Sequence, residues 1–210
     1  KSADAILLQV PRDILPAIQK RLQMFVLRAK VKLADISADH TILGLTGTAA
    51  GATLSHWFPT LPPSPYTKVE SDAGTLIRVA DALGAPRYQW ITTQIVAQDA
   101  WATLIETLTP AEPHAWRLTD IHAGIPQITQ ATQEQFVPQM VNYELIGGVN
   151  FKKGCYPGQE IVARSQYLGK LKRRMMLASI ETQDAKPGME VFSVADPEQP
   201  CGMIVNAESN

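Results

Sequence analysis

Residues 151–164 read FKKGCYPGQEIVAR, a run that crowds a thiol (Cys155), three cations (Lys152, Lys153, Arg164) and a carboxylate (Glu160) into one short stretch. Gly154 stands directly before the sulfur and Pro157-Gly158 follows two residues after it. Proline presets one turn position and glycine takes the next. The run therefore predicts Cys155 on a tight loop held between apolar anchors, Phe151 on one side and Ile161-Val162 on the other. Lys152, Lys153 and Arg164 would favour the thiolate, the form of cysteine that attacks electrophiles and binds soft metals. Glu160 works against that if it is close, and alternatively pairs with a lysine or accepts a proton. The competing reading of Cys155 is a small buried hydrophobe. Tyr156 is the aromatic best placed to stack on a planar ligand, or else it anchors the loop.

The other candidates carry less chemistry. Cys201, in QPCGMIV, has no cationic neighbours and reads as a packing residue on a strand. Two cysteines make no disulfide framework, and their separation fits no zinc spacing. A bridge between them is not expected in a reducing compartment, and the cytoplasm is the expected location. His40, His56, His114 and His122 show no pairing at metal spacing and read as surface or capping residues. Trp57, Trp90, Trp101 and Trp116 can stack on a flat ligand, but aromatics of that size more often fill cores.

The formal net charge of −1 hides a local excess: Lys152, Lys153, Arg164, Lys170, Lys172, Arg173 and Arg174 stand against the single acid Glu160. Such segregation fits a patch that faces an anion, whether folate glutamates, a phosphate or RNA, or alternatively a solvated strand-and-turn region. No run of about twenty apolar residues is present, so no spanning helix is expected. Asp4 and Arg12 interrupt what would be a signal core. The absence of an initiator Met suggests a piece of something longer.

The elements that must position the loop can be read from periodicity. Ile14, Leu15, Ile18, Leu22, Phe25 and Val26 recur at helical spacing, and KVKLADIS then alternates, so a helix feeding a strand is expected. Strands are predicted at 41–47, 75–81 and 88–93, with DALGAPR as a turn and the proline-rich HWFPTLPPSPY as a loop. The proline-free stretch from Thr93 to Leu108 predicts a second helix, and Pro110 and Pro113 mark a break. After Arg164, RMMLASIE, GMEVFSV and CGMIVNA read as short strands of a small barrel or sandwich. The expected fold is α+β, with antiparallel sheets covered by helices on one face. A partial lobe is assigned to 1–112, a second α+β or linker segment to 113–163 and a partial β-barrel to 164–210.

The stretch KGCYPGQE, with FKKGCY before it and VAR after it, resembles the signature of the YgfZ family, folate-binding relatives of the glycine-cleavage T-protein. RAKVKLADIS, AGIP and EQFVPQMVNYELIGGVNFKKGCY extend the likeness over most of the chain. The resemblance implies ferredoxin-like lobes around a central opening for tetrahydrofolate or a derivative, then a small β-barrel. It also implies an upstream segment and further barrel strands, and a part in assembling or repairing iron–sulfur clusters, with consequences for tRNA thiomodification. Iron–sulfur proteins or their assembly machinery are the partners implied, and direct RNA binding is not expected, because only Tyr156 and Tyr167 interleave with the cations. On this resemblance Cys155, Lys153 and Glu160 are the candidates for chemistry. Tyr156, Gly158, Gln159, Arg164, Asp120 and His122 are the candidates for folate contacts. One departure weighs against aminomethyl transfer of the T-protein type: His122 stands where the T-protein has a glutamate before Ala-Gly, and an imidazole lacks the two oxygens of a carboxylate.

Overall fold

Short runs rich in β-branched and large apolar residues build a four-stranded sheet from β1 (Thr41–Thr46), β2 (Lys68–Ser71), β3 (Gly74–Ala82) and β4 (Ala85–Thr92). The computed structural model describes residues 5–169 and 171–209, so Asp4 and Lys170 of the charge arguments lie outside it. The strand order is β1-β4-β3-β2, antiparallel throughout. Leu43 and Leu76 both pair with Trp90, which puts three large apolar side chains in one row across a single face. The DALGAPR turn contracts to Leu83-Gly84, both at positive φ (53° and 73°), the two-residue geometry whose twist matches the flanking strands.

Two helices cover the face that carries Trp90. The short α2 (Ala50–Leu54) buries Ala50 and Leu54, and α3 (Gln94–Thr107) buries Ala97, Ala100 and Leu104. Thr93 caps α3, its hydroxyl oxygen accepting from the Val96 N–H at 3.4 Å. Phe58 meets the Trp90 ring edge-on at 5.5 Å, and Leu45, Leu54, Leu76 and Tyr88 complete this core.

The helices do not keep to one face, as the sequence had led us to expect. Side chains alternate along a strand, so Gly44 and Arg87 point away from the Trp90 face. There α4 (Pro113–His122) packs on them: an ideal Cβ at Gly44 would lie 2.4 Å from the Trp116 ring. Pro113 sits at the start of α4, where its missing N–H costs nothing. The break expected at Pro113 is thus a helix start.

Two compact units divide the chain. One is residues 34–123, described above; the other joins residues 1–33 to 124–209. In the second unit α1 (Leu15–Phe25) forms where the periodicity placed it; the stretch 30–37, which runs on into the first unit, forms no strand. The barrel expected after Arg164 is absent among the described residues. RMMLASIE is irregular, and one antiparallel hairpin, β5 (Glu190–Ser193) with β6 (Asp196–Met203), stands in its place. Residues 159–167 instead continue as a helix, α5 (Gln159–Tyr167). The architecture is mixed α+β with an antiparallel sheet. No described helix is long and apolar enough to cross a membrane.

Candidate functional site

The turn that presents the thiol is set by Gly158, whose φ of 84° is left-handed and open to glycine without a Cβ penalty. Gly154, expected to turn the chain before the sulfur, is not among the positive-φ glycines. Across the Pro157-Gly158 turn, the Gln159 N–H donates to the Tyr156 carbonyl and the Gln159 Oε1 accepts from the Tyr156 N–H, each at 3.3 Å. This reciprocal pair fastens the loop to the first turn of α5, in the manner of a capping box. Glu160 in that first turn and Arg164 in the last both suit the helix dipole.

The anchors differ in part from those expected. Val162 is buried, but Ile161 and Phe151 are exposed. Phe151 meets Tyr167 edge-on, with ring centroids 6.0 Å apart. The true anchor lies elsewhere: Gln139, fully buried in a 3-10 turn (Pro138–Val141), donates from Nε2 to the Val162 carbonyl at 2.7 Å. Gln139 and Val162 carry no chemistry-bearing pattern, and only the alternation PQMV before a glycine-rich stretch hints at the platform.

Around Cys155 the geometry is open. Its thiol is exposed and free, and the Cys201 thiol is exposed and free on β6, donating to the Val191 carbonyl at 3.3 Å. The reading of Cys155 as a buried hydrophobe is therefore overturned. Lys153 places its Nζ 4.4 Å over the half-buried Tyr156 ring, a cation–π contact that fixes both beside the thiol. An exposed thiol of this kind can serve as a nucleophile or as a soft ligand. Among the described residues no group of three or more His, Cys, Asp or Glu is arranged to hold a metal ion.

Lys153, Cys155, Tyr156, Gly158, Gln159, Glu160 and Arg164 thus form one continuous loop and helix. Asp120 and His122 belong to the other unit. The Asp120 carboxylate is buried and paired with Arg87, which is itself fully buried with its guanidinium 4.2 Å over the Trp116 ring. His122 is exposed at the C-terminal end of α4. Asp120 is committed to its own core, so it does not fit a folate contact. His56 and His40 turn Nδ1 to the carbonyls of Thr53 (2.8 Å) and Ile36 (3.2 Å). Trp57 packs on Trp90 at 5.0 Å while Trp101 is exposed.

The unit that carries the loop also holds a polar cluster beside the 3-10 turn. Arg174 Nη1 donates to Glu144 Oε1 at 2.6 Å and to Asn142 Oδ1 at 3.0 Å, strapping residues 171–175 along the 3-10 turn. Glu144 Oε2 and Gln139 Oε1 are left buried without a hydrogen-bond partner among the described residues. Buried acceptors of this kind want donors.

No protein-family model matches the chain. It is similar to the tRNA-modifying protein YgfZ of Photorhabdus laumondii, 37% identical over 165 residues, which are 78% of this chain and 49% of that protein. The protein of the same name from Cronobacter sakazakii is 35% identical over 181 residues (86% of this chain, 53% of that protein). That from Serratia proteamaculans is 33% identical over 164 residues (78% and 49%). The chain spans about half the length of the curated relatives it matches.

Proposed function

The chain belongs to the YgfZ family, and from that premise we propose that it serves tRNA modification as a folate-binding accessory factor for iron–sulfur proteins, acting through the Cys155 loop. One observation carries the reading: the family-like motif holds its free thiol in solvent on a loop fastened on both sides, whereas Cys201, exposed on β6 and not packed as the sequence suggested, donates its thiol to the Val191 carbonyl. Tetrahydrofolate or a derivative is the ligand proposed, with Tyr156 and Arg164 on the loop and helix. The sheet of residues 34–123 is proposed as one ferredoxin-like lobe of such a folate protein. When bound, the folate would supply a one-carbon carrier, while the residues of this chain hold and orient it. Aminomethyl transfer of the T-protein type is disfavoured by His122 and by the commitment of Asp120 to Arg87.

The test uses cells lacking the protein, complemented with the wild type or with Cys155→Ala. Thiolated tRNA nucleosides are quantified by mass spectrometry alongside one iron–sulfur enzyme activity. The expected result is a Cys155→Ala protein that melts with the wild type and restores neither readout. Full restoration would remove the thiol role. Calorimetric titration of the purified protein with tetrahydrofolate tests the ligand separately, and an absence of heat at millimolar folate would remove it.

A further inference from the structure

Five exposed cations surround α5: Lys152, Lys153, Arg164, Lys172 and Arg173. None has a carboxylate partner among the described residues, whereas Arg174 is neutralised by Glu144. Lys152 and Lys172 are twenty residues apart in sequence, and each lies on a segment held beside the C-terminal half of α5. Phe151 against Tyr167 ties the 151–153 loop to the last turn of α5. A cleft of about 390 Å³, lined by Val137, Met140, Ser165, Leu171, Lys172 and Arg173, sets the second pair of cations beside the same helix end. Its lining combines three apolar side chains, a hydroxyl and two cations.

The aromatics decide what kind of anion fits. Tyr167 is 70% exposed and Phe151 37% exposed, although the sequence read Phe151 as a buried anchor. With Tyr156 under Lys153, three aromatics stand among the cations. Phosphate-binding cations interleaved with exposed rings are the pattern that holds single-stranded nucleic acid, because each ring stacks on an unpaired base while the cations track the backbone. An acidic protein segment would need the cations but not the rings. We infer that the surface around the C-terminal half of α5 binds single-stranded RNA directly, with Phe151 and Tyr167 as the stacking platform and Lys152, Arg164, Lys172 and Arg173 on the phosphates. The inference rests on the tRNA-modification reading only in choosing RNA over DNA, and Cys155 takes no part in it.

Fluorescence anisotropy of a labelled single-stranded uridine dodecamer, titrated with the purified protein between 50 and 200 mM KCl, reads the contact. Four neutralised phosphates at about 0.7 each give a log–log salt slope of about −2.8, a loss of roughly 50-fold in affinity over that range. Lys152→Gln with Lys172→Gln is expected to shallow the slope by about 1.4. Tyr167→Ala is expected to weaken binding at fixed salt by about tenfold, with Tyr167→Trp retaining it. No binding at 50 mM KCl overturns the inference. So does equal binding of a glutamate oligomer of matched charge with Tyr167→Ala unaffected, which would mark the surface as one for acidic proteins. The thiolated-nucleoside assay on Cys155→Ala leaves this surface intact, so failure of one reading does not imply failure of the other.

Discussion

Asp120→Ala separates a structural carboxylate from a ligand-binding one. Arg87 is fully buried, and the variant leaves its guanidinium in the interior without the carboxylate that compensates it. Removing one partner of a buried pair costs about 3–5 kcal/mol, because the remaining charge stays desolvated. Two contacts survive: Arg87 Nη1 still donates to the Ala80 carbonyl at 3.2 Å, and its guanidinium still lies 4.2 Å over Trp116. A desolvated cation–π contact is worth about 2 kcal/mol. The cost therefore falls at the lower end, about 3 kcal/mol. In a unit of this size each kcal/mol moves the melting temperature by about 4–8 °C, so a fall of about 12–24 °C is expected in the thermal transition followed by circular dichroism. Arg87→Met combined with Asp120→Leu replaces both charges with apolar groups and should recover most of that loss. A variant that melts within about 3 °C of the wild type yet loses tetrahydrofolate binding would refute the reasoning, since Asp120 would then be a ligand group and not a strut.

Three further outcomes follow from local geometry. Gly44→Ala drives a methyl to 2.4 Å from the Trp116 ring, which Arg87 holds from its own side, so a loss of about 2 kcal/mol is expected in the urea midpoint. Gly158→Ala meets no atom within 4 Å, and its cost is backbone strain alone at φ 84°, about 1–2 kcal/mol. Hydrogen exchange should quicken across residues 159–167, and unchanged protection there would contradict the role given to the turn. Glu70 is held below the ordinary carboxylate range by the hydrogen bond and charge of Lys68. A depressed carboxyl contributes stability above its unfolded value and loses it as pH falls through the folded one. Lys68→Met should return the Glu70 midpoint in a carbon-13 titration to the ordinary range.

The strands were legible where the pattern was long and the core one-sided. Leu43 with Leu45 and Tyr88 with Trp90 recur at every second position, Leu76 pairs with Trp90, and the sheet followed them. β2 escaped because KVES spans only four residues with one large apolar side chain. The stretch RMMLASIE failed in the other direction. Its apolar residues fit a strand, but Met175 spends its N–H on the Met140 carbonyl beside the 3-10 turn, and a single such bond makes no ladder. Helix α5 was hidden by its neighbours, since glycine and proline at 154–158 drew the whole run into a turn. The signal was nonetheless present: Pro157-Gly158 closes the turn, and nine residues free of both follow, with Glu160 early and Arg164 late. At the site, the cysteine loop was legible as chemistry. Its support was not, because a buried glutamine holding a carbonyl leaves no pattern in sequence.

That support explains how a thiol can be placed without being covered. A nine-residue helix is too short to persist alone, since isolated helices are marginal below about 12–15 residues. The helix must draw its stability from outside, and two sources are visible: burial of Val162 and the Gln139 side chain on its carbonyl. Both act on the middle of α5, leaving its N-terminal turn free to hold Tyr156 through Gln159 and its last turn free to hold Phe151 through Tyr167. The loop from 151 to 156 is therefore gripped at each end by the same helix. Its central residues need no packing of their own, which is why Cys155 can stand in solvent at a defined place. Loss of the Gln139 contact would act on the thiol through α5 before it touched the loop, and the sulfur would remain exposed while losing its position.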